Sequence, residues 1–206
     1  IAADLPLDQV GPPIPDQPAP YPLLVTIGLG DDEQVWLLNI EDHNVSITGD
    51  PTYGQDFVRY LAAEVACNPW SAGVQVACLG VAAELGSLNP DRIHVYDPAG
   101  ADVDPIAEFL ADAVATIDRV DEEDTDVTTA RARQSGADAW PARVLLVDAA
   151  NSNPGLDQLL DLVHVQAGRT ATTIVVAGTR ANVQGLALHV TADGRVTLPE
   201  AGLDLV

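Results

Sequence analysis

A β-branched apolar run, Val45-Ser46-Ile47-Thr48, passes into Gly49-Asp50-Pro51-Thr52-Tyr53-Gly54-Gln55-Asp56, and then into residues at helical spacing: Phe57, Val58, Leu61, Ala62 and Val65. No other segment constrains the chain as much as this order of strand, glycine-bounded turn and helix. Two glycines five apart are what a phosphate loop needs if backbone N–H groups are to point inward at a helix N-terminus. The full pattern, G-x-x-x-x-G-K-[ST], is incomplete here: Gln55 stands at the lysine position and Asp56 at the magnesium-binding hydroxyl. All nine basic residues are arginines, so no other lysine can substitute. Taken alone, Gly49 and Gly54 fit an ordinary strand-to-helix turn better than a phosphate site.

A second element shifts that balance. Residues 143–148 form an apolar run ending in Asp148, the pattern of an aspartate that orients a magnesium-bound water, about 90 residues downstream. A hydrolase of this kind usually places a glutamate next, to polarise the attacking water. Ala149 occupies that position, and a methyl group cannot take a proton.

The rest of the chain reads as alternating strands and helices. Residues 1–22 carry seven prolines and predict an extended linker or strap, leaving 23–206 as the domain. Residues 23–27 and 34–40 predict a hairpin. Residues 74–79 and 144–147 lack alternation, as strands buried on both faces do. Residues 93–96 and 173–177 are further strands, Pro105 opens a helix whose apolar face includes Phe109 and Val114, and residues 156–165 are helical. Residues 121–139 read as a solvated loop or loosely packed helix. Ala192-Asp193-Gly194-Arg195 marks a terminal hairpin. The fold class is α/β: a three-layer α/β/α sandwich around a mostly parallel sheet, with antiparallel hairpins at both ends. Residues 45–48 and 144–147 are expected side by side in that sheet, with Gly49–Gly54 joining the first of them to a helix N-terminus.

In this order of motifs the chain resembles the FtsK/SpoIIIE-type P-loop motor domains with a RecA-like sheet, especially those repeated along type VII secretion ATPases. The resemblance spans roughly residues 20 to 200, as pattern rather than identity. The chain is also similar, over fewer features, to a domain of large actinobacterial membrane proteins that carry LysM or transcriptional-activator-type modules. The family implies that Gly49, Gly54, Gln55 and Asp56 mark the phosphate loop, Asp148 the metal-side acid, and Thr179 or Arg180 the sensor region. Gln55, Asp56 and Ala149 depart from it at its three most chemical positions. A like-charge pair near 4 Å costs about 4 kcal/mol at an effective dielectric of 20. With the lysine also lost, triphosphate affinity should fall by about a thousandfold or more. If Asp56 points into the loop, it should accept the turn's N–H groups in place of a phosphate.

Composition narrows the partners. With 31 acidic and 9 basic residues the net charge is −22, whether from a composition bias of the whole genome or from selection on this surface. Either way it repels nucleic acid and anionic membranes. The four histidines show no metal spacing, and no Gly-x-Ser-x-Gly elbow supports a hydrolase serine. Cys67 and Cys78 read as small core residues. The chain opens at Ile1 and a proline-rich lead-in, which suggests a piece of a longer protein. The expectation is therefore a P-loop-like domain that does not hydrolyse nucleotide and needs no cofactor. It would serve as an interaction or scaffolding module, cytoplasmic or the soluble part of a membrane-anchored protein. Its partner would be another domain or another protein, and an oligomer stays open. The alternatives are a weak nucleotide-binding switch that borrows a partner's basic groups, and a translocase-type ATPase, which Gln55, Ala149 and the charge disfavour.

Overall fold

A computed structural model of the chain describes residues 19–100, 103–133 and 140–206. The chain runs β1 (Leu24–Leu29), β2 (Val35–Asn39), β3 (Asn44–Gly49), α1 (Pro51–Cys67), β4 (Gln75–Leu79), β5 (Ile93–Tyr96) and α2 (Pro105–Glu123). It continues through α3 (Val127–Arg133), β6 (Arg143–Asp148), α4 (Pro154–Val165), β7 (Thr172–Ala177), β8 (Leu186–Val190), β9 (Val196–Leu198) and β10 (Leu203–Leu205). β1 and β2 form a two-stranded sheet, and the other eight lie in the order β10-β9-β8-β3-β7-β6-β4-β5. From β8 to β5 all neighbours are parallel, and β9 and β10 are added antiparallel.

Strands apolar at every position must be covered on both faces, and the central strands β6 and β7 are. In β6, Val144 and Leu146 pack into one core with Val58, Leu61 and Val65 of α1 and with Val25 and Ile27 of β1. Leu145 and Val147 face the other way, onto Ile106 and Phe109 of α2 and Leu156, Leu159 and Val163 of α4. The three layers are therefore α2 with α4, the sheet, and α1 with the first hairpin.

Four expectations need correction. β3 and β6 share the sheet but are separated by β7, whose Ile174, Val175 and Val176 are fully buried. An unbroken apolar run says that a strand is central without saying which strands flank it. Val114 is exposed, because the buried stripe of α2 runs through Ile106, Phe109, Ala113 and Val120. The charge run takes the helical of its two expected forms where it is described, but is packed rather than loose: α2 extends to Glu123, and Asp126 accepts from Thr129 N–H at 2.8 Å at the start of α3, where Val127 and Ala130 are buried. Residues 134–139 lie outside the described residues, as do 1–18 of the predicted linker. Lastly, Cys67 is exposed at the end of α1; only Cys78 is a core residue, and burial pushes its thiol up to about 11.

Arg131 is buried, and its guanidinium meets both carboxylate oxygens of buried Glu41 at 2.9 and 2.5 Å. It also donates to the carbonyls of Trp140 and Pro20. The neighbouring Asp42 accepts from the N–H and hydroxyl of Thr170 at 2.8 and 2.5 Å. Burial pushes the pKa of both Glu41 and Asp42 up, against the pull of Arg131 and Thr170. A carboxyl whose folded pKa lies above its unfolded value holds its proton longer in the native state. Its effect on stability therefore improves as pH falls through the folded pKa and worsens as pH rises. Relief of self-repulsion in a chain of net charge −22 acts in the same direction. Thermal melts are expected to show a midpoint that falls as pH is raised above the ordinary carboxylate values of 3.8 and 4.5. A midpoint that instead rises as pH is raised would contradict that origin.

Candidate functional site

The C-terminal ends of β3, β7 and β6 are where a parallel sheet of this order presents a ligand crevice. At the end of β3, Gly49 has φ +101, and a Cβ there would lie 2.0 Å from the Val190 carbonyl oxygen and 2.9 Å from His189 Cε1. The glycine is thus demanded by the close approach of β8. Helix α1 starts at the second residue after it, with Asp50 as N-cap and Pro51 in the first turn. Aspartate and proline are favoured in those positions, one accepting orphan N–H groups and the other lacking one to lose.

Every backbone donor from Asp50 to Gly54 is accounted for. Asp50 N–H bonds the Val190 carbonyl at 2.8 Å. Pro51 has no N–H. Thr52 and Tyr53 donate to Asp50 Oδ1 at 2.9 and 3.0 Å. Gly54 N–H bonds the Asp50 carbonyl at 2.8 Å, an ordinary helical bond. The expected loop is therefore a capped first turn of helix, and Gly54 lies inside it. A Cβ at Gly54 would meet only Ile47 Cγ2, at 3.8 Å. The helix begins six residues before Phe57, and the Asp50-Pro51 pair was the signal for it.

Gln55 and Asp56 follow on exposed helix. Gln55 lines a hollow of about 200 Å³ with Val58, Arg59 and residues 80–84. Asp56 does not turn inward; it pairs with Arg59 at 2.8 Å, and Arg59 also pairs with Glu84. The role expected of Asp56 is taken by Asp50.

Asp148 ends β6 and accepts from Ala150 N–H at 2.7 Å, capping its own loop. It aligns with Ala177 of β7, which aligns with Ile47 of β3. Two strand spacings put it about 10 Å from the level of Ile47. Arg180 is committed as well, to the carbonyls of Ala149 and Asn151 at 3.1 and 2.6 Å and to Asp157 at 2.8 Å. It ties the loop after β6 to α4, with its donors turned to protein. Among the described residues, no group of three or more His, Cys, Asp or Glu is placed to hold a metal ion.

Strand order and crossover identify the architecture: the strand before the glycines lies beside β7, and the acid-terminated β6 lies one strand further on. It is the fold of the type VII secretion ATPase domains. The chain aligns with the cytoplasmic domain of the Thermomonospora curvata type VII secretion ATPase EccC at a TM-score of 0.60 and 13% identity, over 89% of this chain and 26% of that one. It aligns with EssC (ATPases 2 and 3) from Geobacillus thermodenitrificans at 0.56 and 16%, over 88% of this chain and 40% of that one. The pCW3 conjugation coupling protein TcpA, in its monomer form with ATPγS, gives 0.56 and 9%, over 87% of this chain and 57% of that one. The chain thus spans only part of the proteins it resembles, and at these identities the likeness is one of fold. No family model matches the sequence, and no curated protein matches it either. The resemblance read from motif order holds at the level of fold. The nucleotide and magnesium that such a fold implies do not fit the residues present, since the amides that would cradle phosphate are bonded to Asp50 and Val190.

One substitution separates a helical turn from a phosphate loop. Gly54→Ala should stabilise the protein by about 0.5–1 kcal/mol, since alanine is the better residue in a helix interior and its Cβ has room. Denaturant melts measure it, and a destabilisation of similar size would mean that residues 51–54 are not helical.

Proposed function

We propose that the domain is a P-loop-like module that does not hydrolyse nucleotide and works as an interaction or scaffolding unit within a larger protein. The observation supporting this reading is the donor accounting between Asp50 and Gly54: one N–H is absent, and the others are bonded within the protein. Gln55 and Ala149 add to it, because neither supplies the charge or the proton acceptor that hydrolysis needs. A nucleotide switch would first have to unwind the turn and expel the Asp50 carboxylate, which the helix dipole favours by about 0.3–1 kcal/mol. The neighbours EccC and EssC are described as cytoplasmic domains. By that likeness we place residues 23–206 on the cytoplasmic side, as one domain following a linker, and no described helix is long and apolar enough to cross a membrane. Its partners are then other domains of the same protein or a separate protein, and not nucleic acid.

Calorimetric titration with ATP, with and without magnesium, is expected to show no saturable heat, and phosphate release should stay at background. Micromolar binding, or turnover that disappears in Asp148→Asn, would overturn the reading.

A further inference from the structure

The two edges of the first hairpin are treated differently. On the outer side of β1, Thr26 N–H is bonded to both carboxylate oxygens of Glu64 at 3.0 Å. The Leu24 carbonyl accepts from the Trp70 indole at 2.9 Å. Leu29 exchanges two backbone bonds with Val206, at 2.8 and 2.9 Å. That edge is closed. β2 pairs only with β1, and no described strand lies along its other edge. The ladder is phased by Ile40 N–H on the Leu23 carbonyl at 3.1 Å and Gly30 N–H on the Gln34 carbonyl at 2.9 Å. Antiparallel alternation then points the N–H and C=O groups of Val35, Leu37 and Asn39 away from β1. The side chains do not protect them: Val35, Trp36 and Leu37 are 59%, 38% and 48% exposed. The usual safeguards of a free edge are lysine, proline or a bulge on the edge strand itself. β2 has neither residue, and the irregularity of this pair falls in β1, between Thr26 and Gly28.

We propose that the free edge of β2 binds an extended segment of a partner protein, apolar and β-branched in its centre and basic at its flanks, which adds to the hairpin as a third strand. This deepens the interaction-module reading and rests on it. The alternating outward N–H and C=O groups require an extended backbone, the recognition mode of strand addition. The flanking charge is set by the surroundings. Asp31, Asp32 and Glu33 stand exposed at the approach to β2, and among the described residues their only ion pair is Asp31 with Arg195 at 3.3 Å. Two copies of a chain of net charge −22 repel one another, which disfavours β2-to-β2 pairing and favours a basic partner.

The probe is a synthetic peptide of alternating valine and threonine between lysine pairs, titrated into the full chain. Saturable binding is expected, with the amides of Val35, Leu37 and Asn39 gaining protection from hydrogen exchange. A peptide with the same centre and glutamate flanks should not bind. Leu37→Pro removes an outward donor without touching the ladder to β1, and should weaken binding by about tenfold or more. If that variant does not fold, Leu37→Lys sets a like charge against the peptide and must weaken binding in its place. Equal binding to either variant that folds, equal binding of both peptides, or no binding of the basic peptide would overturn the proposal. So would a concentration-dependent dimer of the free chain that Leu37→Pro abolishes, which would make a second copy the occupant. Failure with the peptide overturns this surface alone, whereas saturable ATP binding overturns the functional reading beneath it.

Discussion

Arg131→Met is expected to cost about 3–5 kcal/mol, because removing one member of a buried ion pair leaves the other charged and unpaired. Methionine retains the apolar stem, so the loss reports the guanidinium and its bonds to Glu41, Trp140 and Pro20. Glu41 can limit the damage by taking a proton. From its ordinary value of 4.5, neutralising it at pH 7 costs about 3.4 kcal/mol at 1.36 kcal/mol per unit. The deficit should therefore shrink as pH is lowered. For a domain of this size the midpoint should fall by roughly 10 °C at neutral pH. A loss under about 1 kcal/mol, typical of exposed pairs, or one independent of pH, would show that the pair is not buried as described.

Gly49→Ala should be comparably damaging, at roughly 3 kcal/mol or more. At φ +101 a side chain is strained whatever surrounds it, and its Cβ would lie 2.0 Å from the Val190 oxygen, so β3 and β8 would have to part. Set beside Gly54→Ala, the result is diagnostic. The two glycines of the apparent motif should respond with opposite sign, the first because it packs against a strand and the second because it sits in a helix. Equilibrium denaturation of the two variants measures this, and similar losses at both would restore them to one loop.

Much of the fold could be read from local pattern. Residues 75–79 and 143–148 declare themselves central because no position in them alternates, and the Asp193-Gly194 turn marks the pairing of β8 with β9. Asp50-Pro51, Asp104-Pro105 and Asn153-Pro154 all open helices, each with a side chain capping the next turn. At Pro105 that signal stands alone and predicts a helix start, whereas at Pro51 it is overlaid by the spacing of Gly49 and Gly54, which predicts a loop. Strand order depends on how crossovers pack, so β7 between β3 and β6 leaves no trace in either strand. The pairing of Glu41 with Arg131 spans 90 residues and has no periodic signature; Arg131 lies in a charge run whose composition suggests solvent. β10 is three residues long, too short to announce itself. The acidic residue that fills the helix N-terminus is Asp50 rather than Asp56 because a side chain reaches the N–H groups two and three positions ahead only from the cap.

Residues 50–54 form a capped helical turn whose amides are bonded within the protein, with none to offer a phosphate. Had the loop geometry survived beneath the two changed side chains, Gln55→Lys with Asp56→Ser would restore measurable triphosphate affinity. Both positions instead lie on exposed helix beyond a turn already bonded to Asp50, so restoring them should restore nothing. The most direct test is calorimetric titration of this folded double variant with ATP and magnesium. No saturable binding is the predicted result, and a clear binding isotherm would contradict it.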